Sequence, residues 1–249
     1  MLYVITTTDL LLAVCIMFGA ALYSSVGHAG ASSYIAFMAL FGVQAAVMRS
    51  KAVVLDINVA TLASARLMRA GLFRWRTLWP FLLGALPLAF LSGMIQLPGH
   101  LYRPIVGVVL LCSGSRLLWR RELKAATERH DPPAWLVIVC GAGIGLLSGL
   151  TGTGGRILLS PLLLFLARSA FKPASGVAAA FILFNSVSGL LGNLSPKRSL
   201  PPELPLFAGA VLVVGVIGTT LGILLATPLI LRCLGVVMVV AGAKPIGAY

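Results

Sequence analysis

Charge is what this sequence lacks most clearly. Only 10% of its 249 residues are charged, Asp and Glu together number six, and apolar residues make up 59%. Because a soluble globular domain carries about 25% charged residues, this composition excludes a soluble globule. Four long uncharged stretches each provide the roughly 20 residues that a membrane-spanning helix needs. The sequence therefore predicts an all-α, polytopic integral membrane protein embedded in a lipid bilayer.

Cysteine pairs and basic stripes are also missing. The four cysteines lie inside apolar runs without CxxC spacing, so we expect neither a disulfide framework nor a metal site. The net charge of +13 comes mainly from basic residues in short loops between apolar runs, which the positive-inside rule explains without a nucleic-acid partner. The sequence shows no nucleophile–base pair and no phosphate-binding loop, so we expect no enzyme activity and no cofactor.

The chain reads as two copies of one unit. Glycine-rich interruptions occur inside two apolar runs, and Gly27 and Gly152 are 125 residues apart, as are Gly30 and Gly155. At the ends of the copies, Gly-Val-Val-Leu recurs as Gly-Val-Val-Met. These matches predict three parts: a first transmembrane repeat at 1–119, a charged cytoplasmic linker at 120–133, and a second transmembrane repeat at 134–249.

Each copy has the same order of segments. A first apolar segment runs into the glycine loop, a short segment follows it, and three longer helices come next. In the first copy the predicted segments are 9–25, 31–43, 51–69, 77–97 and 102–119. In the second copy they are 134–149, 156–168, 174–192, 204–226 and 229–246.

Charge places the loops 70–76 and 120–133 in the cytoplasm. It does not choose between inverted and parallel repeats, because either arrangement leaves 12 basic residues inside and 6 outside. Length favours one of them. The first two segments and their loop would extend ~52 Å as helix, too long for one crossing of a ~30 Å hydrocarbon core. We therefore predict inverted repeats with broken or re-entrant helices that meet near the midplane, as in many secondary transporters.

The glycine loops are the main candidate site. Backbone freed from helical bonding is tolerated in lipid only where protein or a water-filled cavity satisfies it, and the helix start after each loop offers N–H groups to an anion. The alternative is that the glycines only let helices pack closely, but the neighbouring hydroxyl groups favour a site. The candidate substrate-binding residues are Ser24, Ser25, Gly27, His28 and Gly30 in the first loop and Thr151, Gly152, Thr153, Gly154, Gly155 and Arg156 in the second.

Two basic side chains at the loops have alternative roles. Arg156 is the one basic residue that this segment map places at neither a helix end nor a surface loop, and its forked donors suit an oxyanion. Alternatively it extends to the membrane surface or pairs with Asp56. His28 either donates to the anion, carries a coupled proton, or is a hydrogen-bonded structural residue.

Three polar residues lie on the long helices. Asp56 is a proton-coupling candidate, or it forms an ion pair with Arg156 or another basic residue, which we favour slightly. Asn58 and Asn185 follow the short segments at roughly equivalent places, where their amides either line the substrate cavity or hold helices together.

The loop Gly-Leu-Thr-Gly-Thr-Gly-Gly-Arg-Ile-Leu-Leu-Ser-Pro at 149–161, with a fainter copy near the N-terminus, resembles the TauE/SafE sulfite exporter family. Family members typically have a glycine triplet and then a proline in each of two tandem halves. The resemblance implies a multi-pass protein of the bacterial inner membrane that moves sulfite or related sulfur oxyanions and sulfonates, usually outward. It also implies substrate binding at residues 152–156 and, by symmetry, at Gly27, His28 and Gly30.

We therefore expect a secondary transporter that exports sulfite or a related organosulfonate by alternating access, with a small anion as its partner. Two other classes stay open: a passive anion channel or an importer of another small anion, and a membrane scaffold or accessory subunit without transport. Saturable exchange would argue against a channel, and a scaffold would tolerate bulky apolar residues in the loops. The sequence leaves a homo-oligomer open.

Overall fold

The computed structural model describes residues 7–25, 30–71, 73–118, 133–155, 159 and 171–194, together with a few isolated positions between 209 and 243. Throughout this part of the chain the regular structure is helical, which confirms the all-α prediction. The helices are α1 (Thr7–Ser25), α2 (Ala31–Leu40), α3 (Ala45–Arg69), α4 (Trp75–Met94), α5 (Gly99–Leu118), α6 (Ala134–Thr151) and α7 (Phe171–Leu194).

Helix α3 begins earlier than predicted. The sequence reading starts it at residue 51 and leaves Arg49 in a loop, whereas the helix begins at Ala45 and both Arg49 and Lys51 are buried. No glycine or proline stands between Val43 and Ala70, so nothing in the backbone interrupts a helix there. The predicted linker at 120–133 and the predicted segments 156–168, 204–226 and 229–246 lie largely or wholly outside the described residues.

Among the described helices, three are long and apolar enough to cross a membrane. They are Trp75–Met94, Ala134–Thr151 and Gly176–Leu194. Large apolar side chains such as Leu83, Val139 and Leu191 are exposed on all three, as expected for helices whose outer surface faces lipid. Helix α4 continues through Pro80 and Pro87, which membrane helices tolerate when neighbouring groups satisfy the freed carbonyls.

Glycines join α6 closely to α4. A Cβ atom at Gly141, Gly145 or Gly149 would collide with the carbonyl oxygen of Phe81, Ala85 or Ala89, respectively. The three glycines of α6 and the three residues of α4 that they contact are each four residues apart and increase together. The two helices therefore run in the same direction, and one face of α6 lies directly on the α4 backbone. Small residues at such a spacing allow the close approach on which helix packing in membranes depends.

Helix α7 packs between α4 and α3. Against α4, the ring of Phe181 meets that of Phe81 edge to face, while Gly192 lies on the backbone of Phe90. From the first contact to the second, the residue number rises on both helices. Helix α7 therefore runs parallel to α4, and so also to α6.

Two polar contacts set the direction of α7 relative to α3. Asn193 donates to Ser50 at 2.9 Å, and Ser186 donates to Asp56 at 3.1 Å. The residue numbers advance on α3 as they fall on α7, so these two helices run antiparallel.

Helices α1 and α2 form a packed pair at the side of α3. Gly19 of α1 lies against Ser33 and Phe37 of α2, so the two helices approach closely at this point. Their buried side chains, including Ile16 and Ile35, join Leu55 of α3 in one hydrophobic cluster. This packing places the start of α2 against the middle of α3.

Candidate functional site

The second glycine loop begins where α6 ends. Residues 151–155 are all buried, and Gly152, Gly154 and Gly155 have φ values of 77°, 70° and 78°. Side chains other than glycine rarely adopt such a backbone. Gly152 N–H donates to the Ser148 carbonyl at 2.7 Å, which closes the last turn of α6. The loop is therefore a turn with a defined conformation inside the protein.

Hydroxyl groups hold the loop in place. Thr151 Oγ1 donates to the Leu147 carbonyl at 2.7 Å and lies 2.9 Å from Thr153 Oγ1. The Tyr102 hydroxyl, on the first turn of α5, donates to the Thr151 carbonyl at 3.0 Å. Tyr102 thus satisfies a backbone carbonyl that the end of α6 leaves free, and it joins α5 to the loop.

Asn185 lies on the other side of the loop. It is 1% exposed, and its side-chain amide donates to Ser148 Oγ and to the Gly154 carbonyl at 3.4 Å. Within the described part of the chain its Oδ1 atom is buried without a hydrogen-bond partner. Such an acceptor is normally satisfied in a folded protein, so the site has unused capacity to accept a hydrogen bond.

Asp56 lies between the start of α2 and the second glycine loop. Its side chain is 1% exposed. Oδ1 accepts from the Ala31 N–H at the start of α2 at 3.3 Å, and Oδ2 accepts from Ser186 Oγ of α7 at 3.1 Å. A Cβ atom at Gly154 would collide with Oδ2. The carboxylate therefore contacts the helix that follows the first loop and the glycine at the tip of the second.

Arg49 is a buried residue of this region that the sequence reading missed. It is 5% exposed. Its guanidinium donates to the carbonyls of Ser92, Gly93 and Ile95 at 2.8–2.9 Å, around the end of α4. A cation there complements the negative end of the helix dipole. A Cβ atom at Gly152 would stand 3.1 Å from Arg49 Cγ, so the same side chain also lies against the loop.

The burial of Arg49 and Lys51 corrects the view of Arg156 as the one basic residue away from helix ends and surface loops. The uninterrupted run from Val43 to Ala70 was the available signal that these residues belong to a helix.

The structure brings many predicted site residues together but leaves one apart. Asn58 is half-buried and lies two residues after Asp56, which turns it by roughly 200° to the other side of α3. Ser24 and Ser25 belong to the last turn of α1, but their side chains lie outside the described part. Gly27, His28 and Arg156 also lie outside it. The predicted residues that come together are Gly30, Asp56, Thr151, Gly152, Thr153, Gly154, Gly155 and Asn185.

A cavity of about 380 Å³ opens near the starts of α3 and α5, and it is lined by Gln44, Gly99, His100 and Arg103. His100 and Arg103 share the first turns of α5 with Tyr102, whose hydroxyl reaches the loop. Nowhere in the described ranges do three His, Cys, Asp or Glu side chains lie close enough together to hold a metal ion.

Comparison with known proteins gives consistent matches. The family model described as "Sulfite exporter TauE/SafE" matches residues 11–244. The chain is 33% identical over 226 residues to the "Probable membrane transporter protein y4hK" of Sinorhizobium fredii, covering 89% of this chain and 92% of that protein. It is 22% identical over 149 residues to the "Probable membrane transporter protein MJ0441" of Methanocaldococcus jannaschii, covering 59% of this chain and 52% of that protein. No solved structure matches the chain.

Proposed function

Because the chain belongs to the TauE/SafE sulfite exporter family of membrane transporters, we propose that it is a secondary transporter that exports sulfite or a related small sulfur oxyanion or organosulfonate. We propose further that it is a multi-pass protein of the bacterial inner membrane and works by alternating access. The observation that carries the proposal is the meeting of the two glycine-loop regions at Asp56, inside a buried set of polar groups.

The position of this meeting point supports a site within the membrane. Asp56 lies near the middle of the 25-residue helix α3, and Ser186 lies within the second half of the 24-residue α7. Each end of α3 is therefore ~17–20 Å away from Asp56, at 1.5 Å per residue. Buried polar groups at such depth are costly and typically serve a substrate or ion pathway.

Two observations support inverted repeats. A shift of 125 residues carries α3 onto α7 with bounds that agree within one residue, and it carries α1 onto α6 within two. If α3 and α7 are equivalent, their antiparallel packing means that the two copies have opposite orientations in the membrane. Helices α6 and α7 run in the same direction, so the end of α6 and the start of α7 lie at opposite ends of the pair. This fits the proposed re-entrant hairpin, in which the chain turns back after α6 before α7 begins.

We assign substrate recognition to the loops. The helix start after each loop provides N–H groups, and Arg156 provides the forked cation that suits a sulfur oxyanion. The Thr153 hydroxyl provides a neutral donor once it exchanges its bond to Thr151 Oγ1 for the substrate. His28, by symmetry, supplies a donor from the first loop. Arg103, which lines the cavity where α5 begins, provides a positive charge that favours approach of an anion from that end. Rocking of one copy against the other then exposes the site to each side in turn.

Sulfite flux in proteoliposomes tests this function. We expect wild type to show saturable sulfite flux that a sulfonate competes for more strongly than sulfate, phosphate or acetate does. Arg156→Ala should abolish the flux, whereas Arg69→Ala, which removes an exposed arginine at the end of α3, should retain it. Flux that survives Arg156→Ala would refute the assigned site but keep the substrate class. The absence of flux with any sulfur oxyanion would refute the proposed function.

A further inference from the structure

The start of α2 already has a carboxyl group hydrogen-bonded to it. Ala31 N–H donates to Asp56 Oδ1, and Ser186 Oγ donates to Asp56 Oδ2. These are a helix N-terminus and a hydroxyl, the two kinds of donor that would otherwise coordinate an oxyanion. Helix α2 has ten residues and no acidic residue in its own first turn, so the carboxylate that meets its positive end comes from α3.

The carboxylate of Asp56 also lies directly against Gly154. Oδ2 is so close to Gly154 that a Cβ atom would not fit there. Asp56 therefore fills the space between the tip of the second loop and the start of α2. An anionic substrate that enters the same space meets a negative charge in a buried environment, where two like charges cannot both persist without a large energetic cost. Substrate and ionised Asp56 are therefore competitors for one position.

We infer that Asp56 is an internal substitute for the substrate: its carboxylate occupies the anion position of the empty transporter, and a sulfonate or sulfite anion binds only when Asp56 takes up a proton. The inference rests on the proposed function and adds to it the way in which the site distinguishes its empty and loaded states. Proton uptake removes the competing charge, frees the Ala31 N–H and the Ser186 hydroxyl, and converts Asp56 itself from an acceptor into a donor toward the oxyanion.

Other ionisable groups around α3 bear on this competition. Arg49 lies seven residues before Asp56, which places it on the same face of α3 about 10 Å away. Lys51 is also buried on α3. Helices α2, α5 and α7 pack against α3. The ionisable side chains described on these three helices are Tyr34 on α2 and His100, Tyr102, Arg103 and Cys112 on α5.

The test is anion binding to the purified full-length protein, measured by calorimetry between pH 5 and pH 8. Methanesulfonate is the main probe, since it stays fully ionised over this range and any pH dependence then comes from the protein. Sulfite is the second probe. Repeating the titration in buffers with different ionisation enthalpies gives the number of protons taken up per anion bound.

Asp56→Asn is the principal variant. It keeps an oxygen for Ala31 N–H and an amide that can face Ser186, so the contacts survive while the charge and the proton are lost. Glu122→Gln is the matched control, because it neutralises an acidic residue in the charged segment between α5 and α6.

For wild type and Glu122→Gln we expect uptake of one proton per anion, and an apparent Kd that rises about tenfold per pH unit once Asp56 is ionised, because only the protonated fraction binds. Asp56→Asn should bind with no proton uptake, with an affinity independent of pH, and about tenfold or more tighter than wild type at pH 8.

If Asp56→Asn does not fold, Ser186→Ala replaces it. Loss of the hydroxyl donor makes the ionised carboxylate less favourable, so anion binding should persist to higher pH than in wild type. The inference is overturned if wild type binds methanesulfonate without proton uptake, if Asp56→Asn keeps the wild-type pH dependence, or if Ser186→Ala leaves the pH dependence unchanged. If no variant binds either probe at any pH, the proposed function fails and this inference fails with it.

Discussion

Replacement of Gly154 by alanine tests two reasons for a glycine at this position: its positive φ and its close contact with Asp56. At a φ of 70°, alanine costs about 1–2 kcal/mol in the left-handed region. The new Cβ atom also collides with Asp56 Oδ2, so the carboxylate has to move and give up a hydrogen bond to Ala31 or Ser186. A hydrogen bond to a charged group contributes about 1.5–3 kcal/mol. We therefore expect Gly154→Ala to destabilise the protein by about 2.5–5 kcal/mol.

Gly71→Ala is the matched control for this prediction. Gly71 follows the end of α3 and has nearly the same φ, 69°, but nothing lies within 4 Å of the Cβ position. It should cost only the backbone contribution of about 1–2 kcal/mol. The difference of about 2 kcal/mol, more than tenfold in the unfolding equilibrium, then belongs to the contact with Asp56.

The measurement is equilibrium unfolding of both variants and wild type in mixed detergent micelles, followed by tryptophan fluorescence. A double variant with Asp56→Ala, which removes the colliding oxygen, should bring the cost of the Gly154 substitution back to that of Gly71→Ala. Equal losses of stability for the two single variants would refute the reasoning, since the tip of the second loop would then need glycine for its backbone alone.

Three further predictions concern the helices around the site. Gly145→Ala should destabilise the protein by about 1–3 kcal/mol through overpacking against Ala85, whereas Gly143→Ala, with nothing within 4 Å on the same helix, should not lower the unfolding free energy. Arg49→Lys should cost about 2–3 kcal/mol, because an ammonium cannot reach three carbonyls as the guanidinium does. Arg103→Lys on exposed α5 surface is its control in the same assay. Tyr102→Phe should lower stability by about 1 kcal/mol by removing only the hydrogen bond to the Thr151 carbonyl. An unchanged unfolding midpoint would show that this bond contributes nothing.

Helices α4, α6 and α7 could be predicted from the sequence because their signal is local. Long apolar runs bounded by basic or proline-containing turns identify membrane helices with few alternatives. The glycine loop at 151–155 could also be predicted, since several closely spaced glycines inside an apolar run have few explanations other than a break in the helix. The bounds of α6 and α7 agree with the sequence reading to within three residues.

The contacts of Asp56 and Arg49 could not be predicted in the same way. Asp56 meets a backbone N–H 25 residues before it and a hydroxyl 130 residues after it, and no sequence pattern indicates which backbone group a carboxylate will reach. The sequence places Arg49 just before a helix, because charge in a membrane protein usually marks a helix end. It is buried instead because the last turn of α4 offers free carbonyls that satisfy its guanidinium.

The central claim, that the two loops form the substrate site of a sulfur-oxyanion transporter, is tested most directly by sulfite counterflow. Proteoliposomes preloaded with sulfite receive a trace of labelled sulfite outside, and uptake is followed for wild type, Gly154→Ala and Gly71→Ala. The account predicts saturable, transient accumulation for wild type and Gly71→Ala and its loss in Gly154→Ala. Uptake that rises in proportion to concentration without saturation, or full counterflow in Gly154→Ala, would contradict it.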